Sequence, residues 1–186
     1  MLEEKDFIEI VEIGIALAAE KDENKLYSKI LDAAMELVRC DSGTLYLYKH
    51  DKLVLKNMKT ISRNKCLGDD GNDIEVPEIE MTDNNICAYS ALHREFINVE
   101  DIYNDERFNF ENTKHYDTLT GYRTKSMIVM PMQNSDGILV GVLQLFNAMS
   151  EDGRTIAFNE TNEYIVRMIG AQSAVAITNR KNVEEI

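Results

Sequence analysis

Several things are scarce in this chain, and each scarcity excludes something. Only 2 of 186 residues are proline and no low-complexity tract is visible, so the chain reads as a folded domain and not as a linker. Bases are outnumbered, 20 Lys and Arg against 33 Asp and Glu, for a net charge of −13. That balance argues against a nucleic-acid partner and against an anionic membrane surface, both of which demand clustered cations. No apolar run approaches the roughly 20 residues needed to span a bilayer. The start MLEEKDF lacks the basic and apolar regions of a signal peptide. Cysteine is limited to Cys40, Cys66 and Cys87, an odd number without a CxxC pair, which fits a reducing cytoplasm. GxSxG, P-loop and HExxH motifs are missing, and His50, His93 and His115 fall in three different elements. An enzyme or a metal centre is therefore not expected.

What is present is strong hydrophobic patterning. The apolar centre is Met127–Met132, the turn Asn134-Ser135-Asp136-Gly137, and a return strand over Ile138–Phe146 in which Gln144 alone is polar and non-glycine. Strands this apolar belong in the middle of a sheet. Met127, Met130 and Met132 read as core filler, or as an adaptable binding wall. Residues 2–20 predict a helix whose stripe is Phe7, Ile10, Val11, Gly14, Ile15 and Ala18, with Ile13 and Leu17 apolar off the stripe. A second helix is expected over Leu26–Val38, capped by Asp22 or Asn24 and ended by Asp41-Ser42-Gly43. Thr44–Tyr48 and Leu53–Leu55 predict a hairpin, 62–73 a polar loop, Ile74–Met81 an edge strand around Pro77, and Ile86–His93 a short helix. A strand at 96–99, a helix at 113–119 and a loop at 148–157 follow. The last helix is capped by Asn159 and carries Tyr164, Ile165, Met168, Ile169, Gln172, Val175 and Ala176 on one stripe.

This order implies an α+β fold: a central antiparallel six-stranded sheet, long terminal helices on one face, and short helices and loops roofing a ligand pocket on the other. The polar run Asp117, Thr120, Arg123 and Thr124 just before the apolar hairpin places a reading site at the mouth of the sheet. Helix starts near Asn84-Asn85-Ile86 and Asn112-Thr113 would expose N–H groups suited to a phosphate ester, although every helix has such an end. Apolar residues left over on the first and last helices favour a homodimer.

The segments NVEDIYNDERFNF, DTLTGYRTKSMIVMPM and DGILVGVLQLFN resemble the GAF domain family, above all the cyclic-nucleotide-binding GAF domains of phosphodiesterases and cyanobacterial adenylyl cyclases. The resemblance implies a GAF domain over 24–180, preceded by a dimerising helix at 1–23 and followed from 181 to 186 by the start of a linker to an output domain. It implies a ligand site at Thr44, Met58, Ile86, Cys87, Thr113, Asp117, Thr120, Thr124 and Gln144. Ile86 and Cys87 would offer backbone N–H groups to phosphate, and Asp117 would face ribose hydroxyls or base N–H donors. Of the phosphodiesterase signature, Asn147, Phe158 and Glu163 are kept, whereas Ala148 and Asn162 stand where a Lys–Asp salt bridge is formed in the family. Lys59 stands where cGMP-binding relatives often carry an acid, which tilts the expectation from cGMP toward cAMP. The resulting expectation is a cytoplasmic regulatory sensor without a catalytic set or a resident cofactor, binding a cyclic nucleotide. The alternative is an unliganded dimerisation scaffold.

Overall fold

The computed structural model describes residues 1–184, with side chains to 182. Helix α1 spans Glu4–Ala19 and α2 Glu23–Val38. The Asp22 carboxylate caps α2 by accepting the Lys25 N–H at 3.0 Å, and Arg39 closes the helix in the left-handed region. Strand β1 follows at once over Cys40–Lys49, so Asp41-Ser42-Gly43 begins a strand and does not end the helix as expected. A tight turn leads to β2, Lys52–Thr60. The expected loop at 62–73 contains a short strand β3, Lys65–Leu67, and the expected strand at 74–81 is reduced to β4, Ile79–Glu80, with Pro77 in the irregular run before it. Helix α3 occupies Ile86–His93, β5 Ile97–Val99, α4 Glu111–Thr120, β6 Met127–Gln133 and β7 Leu139–Met149. The loop at 148–157 is shortened by β8, Thr155–Ile156, and α5 runs from Glu160 to Glu184. Residues 181–184, expected to open a linker, thus continue α5, while 185 and 186 lie outside the described residues.

The strands form an antiparallel sheet of order β3-β2-β1-β7-β6-β5. The six-strand expectation becomes eight, because β4 adds to β2 and β8 to β7. The apolar hairpin is central as its composition requires: β7 lies between β1 and β6, and Leu143 and Leu145 are fully buried. Helices α1, α2 and α5 cover one face, around a core that includes Ile30, Leu45, Leu145, Val166 and Ile169. A second core over the other face joins α3 to the sheet through Cys87, Ala91, Val129 and Val142.

The buried stripe of α1 differs from the expected one. Ile10 and Leu17 are buried, while Phe7, Val11 and Ile15 are 48%, 56% and 65% exposed. On α5, Ile165, Val166, Ile169, Ala176 and Ile177 are buried, and Tyr164 and Val175 point outward. Gly14 leaves room for Gln172 of α5 to sit against α1. A Cβ there would lie 2.6 Å from Gln172 Nε2, which donates to the Ile10 carbonyl at 3.2 Å. At the start of α5 the Asn159 N–H donates to Asn162 Oδ1 at 2.9 Å, and the Asn162 N–H donates to Asn159 Oδ1 at 2.8 Å. These reciprocal bonds form a capping box at the start of the helix.

Candidate functional site

Residues of β1, β2, β3 and β7 that point away from the long helices tile the floor of a 740 Å³ cavity, within the size range of small-molecule sites. Strand register groups them in rows. Lys65, Thr60, Ser42 and Phe146 are successive cross-strand partners, and Met58, Thr44 and Gln144 form the next row. Leu55 and Tyr46 make the third. The start of α3 supplies Asn85, Ile86 and Cys87 to one wall. Helix α4 supplies Thr113, Tyr116, Asp117 and Thr120, spaced i, i+3, i+4, i+7 on a single face. The left-handed Gly121 ends α4, after which Tyr122 and Thr124 reach the cavity, and the run Val76–Glu80 closes its rim.

All nine residues named from the sequence, Thr44, Met58, Ile86, Cys87, Thr113, Asp117, Thr120, Thr124 and Gln144, line this one cavity. Their hydrogen bonds refine their roles. Asp117 is buried and accepts from the Tyr103 hydroxyl at 2.7 Å, the Thr124 N–H at 2.9 Å and the Thr124 hydroxyl at 2.8 Å. Its carboxylate therefore staples the end of α4 to the following loop, and Thr124 is its partner. The Tyr103 phenol is held above its ordinary pKa by burial and by this carboxylate. On the floor the Thr44 hydroxyl donates to Gln144 Oε1 at 3.1 Å, and the Gln144 amide contacts Met127 Sδ at 3.4 Å. The Thr120 hydroxyl donates back to the Tyr116 carbonyl at 2.8 Å.

Three expectations are corrected here. The Cys87 N–H is already taken by the Asn85 side chain at 2.9 Å, as is that of Ala88 at 3.2 Å, which leaves Ile86 to offer its N–H from that helix start. Helix α4 begins at Glu111, so Asn112 and Thr113 lie within its first turn and an acid stands at its head. Lys59 points to the opposite face of the sheet, where its ammonium meets Asp32 of α2 at 2.7 Å. Alternation along β2 dictates this, since its neighbours Met58 and Thr60 line the cavity. A base held in the cavity does not face Lys59, and the argument that used it to favour cAMP loses its footing.

Other wall residues were not anticipated. Ser42 and Thr60 follow from Thr44 and Met58 by two-residue alternation once the strands are extended. Tyr116 follows from Thr113 and Thr120 by helical spacing, whereas Arg63, Lys65 and Tyr122 carry no periodic signal that singles them out. Tyr122 anchors a buried network: its hydroxyl donates to Asp41 Oδ2 at 2.8 Å and accepts from Asn147 Nδ2 at 3.0 Å. Asp41 also accepts from the Ser62 N–H at 2.9 Å and hydroxyl at 2.6 Å, and Asn147 holds the Arg123 carbonyl and the Lys125 N–H. Burial, then the Asp41 charge, push the Tyr122 phenol far above its ordinary pKa. The Cys87 thiol is likewise pushed up by burial.

The sequence profile of the GAF domain family matches residues 22–177. A dual 3',5'-cyclic-AMP and -GMP phosphodiesterase 11A from Takifugu rubripes is 42% identical over 94 residues, covering 50% of this chain and 10% of the relative. The dual phosphodiesterase 11 of Drosophila melanogaster is 32% identical over 175 residues, covering 88% of this chain and 11% of the relative. The chain thus spans about a tenth of the length of these relatives. Among solved structures, the GAF domain of an Acinetobacter phosphoenolpyruvate-protein phosphotransferase superposes with a TM-score of 0.72 at 14% identity, each chain covered at 100%. The free methionine-R-sulfoxide reductase of Neisseria meningitidis does so with a TM-score of 0.66 at 16% identity, covering 98% of this chain and 96% of that one. These structures share the fold. With the profile match over most of its length, the chain belongs to the GAF domain family.

Proposed function

We propose that this GAF domain is a regulatory sensor that binds a cyclic nucleotide in the cavity over β1, β2 and β7 and signals through a helical homodimer to an output domain. The observation that carries the reading is the cavity itself: a polar floor, Thr44 with Gln144, lies under a helix face of Thr113, Asp117 and Thr120. Hydroxyl and amide groups of this kind meet a ribose and a purine edge as donors or acceptors. The similarity to dual cyclic-AMP and -GMP phosphodiesterases supports the same ligand class. With Lys59 turned to α2, both cAMP and cGMP are candidates.

The scaffold alternative is disfavoured by the polar groups aimed into the cavity, which a pure dimerisation module does not need. Dimerisation is supported by the outward apolar residues Phe7, Ile8, Val11 and Ile15 of α1, and by Tyr164 and Val175 of α5. No helix among the described residues is long and apolar enough to cross a membrane. Calorimetry and thermal shift with cAMP and cGMP test the reading. Micromolar binding of either supports it, and no heat with no change in Tm for both would sink it.

A further inference from the structure

Two cations face the cavity without an anionic partner. The Lys65 ammonium makes no side-chain hydrogen bond or ion pair among the described residues. Arg63 uses Nη1 alone, donating to the Thr120 carbonyl at 2.9 Å, and its guanidinium lies 5.8 Å from the Tyr122 ring centroid. The acids on the same wall are already engaged. Glu78 and Glu80 reach Lys52 at 3.8 and 2.9 Å, and Asp117 is spent on Tyr103 and Thr124. In a chain of net charge −13, two cations without an ion pair line one end of the cavity, while the buried Asp41 carboxylate behind them is engaged by Ser62 and Tyr122.

Their placement is fixed by the fold. Lys65 is the cross-strand partner of Thr60, which is the partner of Ser42, so the ammonium extends the first floor row outward. Arg63 sits in the turn between β2 and β3, beside the end of α4. The start of α3 has two of its N–H groups spent on Asn85, which leaves this corner with the stronger donors. Both side chains are donors only. They have no complement for an amino group such as that of adenine, and they match oxygen acceptors.

We propose that Arg63 and Lys65 form the specificity corner of the cavity, gripping an acceptor-rich oxygen edge of the ligand. The proposal rests on the cyclic-nucleotide reading and deepens it. Two edges of such a ligand offer this chemistry: the phosphodiester oxygens, common to cAMP and cGMP, and the O6/N7 edge of guanine, which Arg and Lys grip well and adenine lacks.

The test is calorimetry on the 186-residue chain with cGMP, cAMP, guanosine and adenosine, for the wild type, Arg63→Gln, Lys65→Gln and the double variant. Each substitution removes an exposed charge, and circular dichroism with Tm checks that the fold is kept. The expected loss is about tenfold in affinity for each charge-assisted hydrogen bond removed. A loss confined to cGMP and guanosine assigns the corner to the guanine edge. A loss shared by cGMP and cAMP, with the nucleosides unaffected, assigns it to phosphate. Affinities unchanged in the double variant, or nucleosides and cyclic nucleotides all weakened alike, overturn the proposal. If the wild type binds neither cyclic nucleotide, that reading falls on its own, and the corner is measured with inorganic pyrophosphate. A rise in Tm that the double variant loses then upholds the corner, and no rise overturns it.

Discussion

The Tyr122 hydroxyl donates to the buried Asp41 carboxylate at 2.8 Å, tying the segment that follows α4 to the first residues of β1. Tyr122→Phe removes that bond and the one from Asn147, and should cost about 1–2 kcal/mol in urea unfolding. The same contact sets an alkaline limit. The folded phenol titrates above its unfolded value of about 10. Its stabilisation is complete below that pH and drains away as pH rises beyond it, because the unfolded chain ionises first. Unfolding midpoints measured from pH 8 to 11 should fall less steeply in Tyr122→Phe than in the wild type.

Asp117 supports the α4 end through contacts within the chain. Asp117→Ala leaves the Tyr103 hydroxyl and two Thr124 donors without their acceptor, at about 3 kcal/mol. Hydrogen exchange of the ligand-free protein should show faster exchange across 117–125. An unchanged exchange pattern would mean that this carboxylate serves the ligand alone.

Lys59 belongs to the opposite face of the sheet. Lys59→Ala should change the affinity for cAMP or cGMP by less than about twofold, and stability by at most about 1 kcal/mol, since its ion pair with Asp32 is partly exposed. A larger affinity change in calorimetry would contradict the side-chain direction.

Of the three thiols, Cys66 is exposed while Cys40 and Cys87 are buried. The native protein should release one equivalent with a chromogenic disulfide reagent, and three in denaturant. The Cys66 reaction should speed up as pH climbs, because desolvation and the Asp69 carboxylate push its thiol up to about 11.

If the outward stripe of α1 forms the dimer, Val11→Glu should shift the sedimentation-equilibrium mass from dimer toward monomer with little loss of helicity. Val11 is 56% exposed in the single chain, so the substitution disturbs little internal packing.

The pattern of legibility in this sequence has physical causes. The helix Ile86–His93 and the apolar hairpin were readable because a capping asparagine and uninterrupted hydrophobic runs are local signals. The short strands β3 and β8 were not, because runs of two or three residues gain strand geometry only by pairing with a longer neighbour. Asp117, Thr120 and Thr124 stood out as a polar run before the apolar hairpin, the full set of nine site positions came from resemblance to a family, and the cavity brings all of them together. Lys59 shows where position alone fails: one step along a strand reverses the face. Arg63 and Lys65 lie in a turn and a three-residue strand, where no periodicity announces that two side chains share a wall.

Gly14 and Gln172 are keyed together without a Cβ between them, the Gln172 amide pressed onto the backbone of α1. A side chain brought to the Gly14 position would have to displace the Gln172 amide and break its bond to the Ile10 carbonyl. The Gln172 bond to the Ile10 carbonyl thus ties α5 to α1, so a displacement of α5 is shared by α1 for as long as that bond holds.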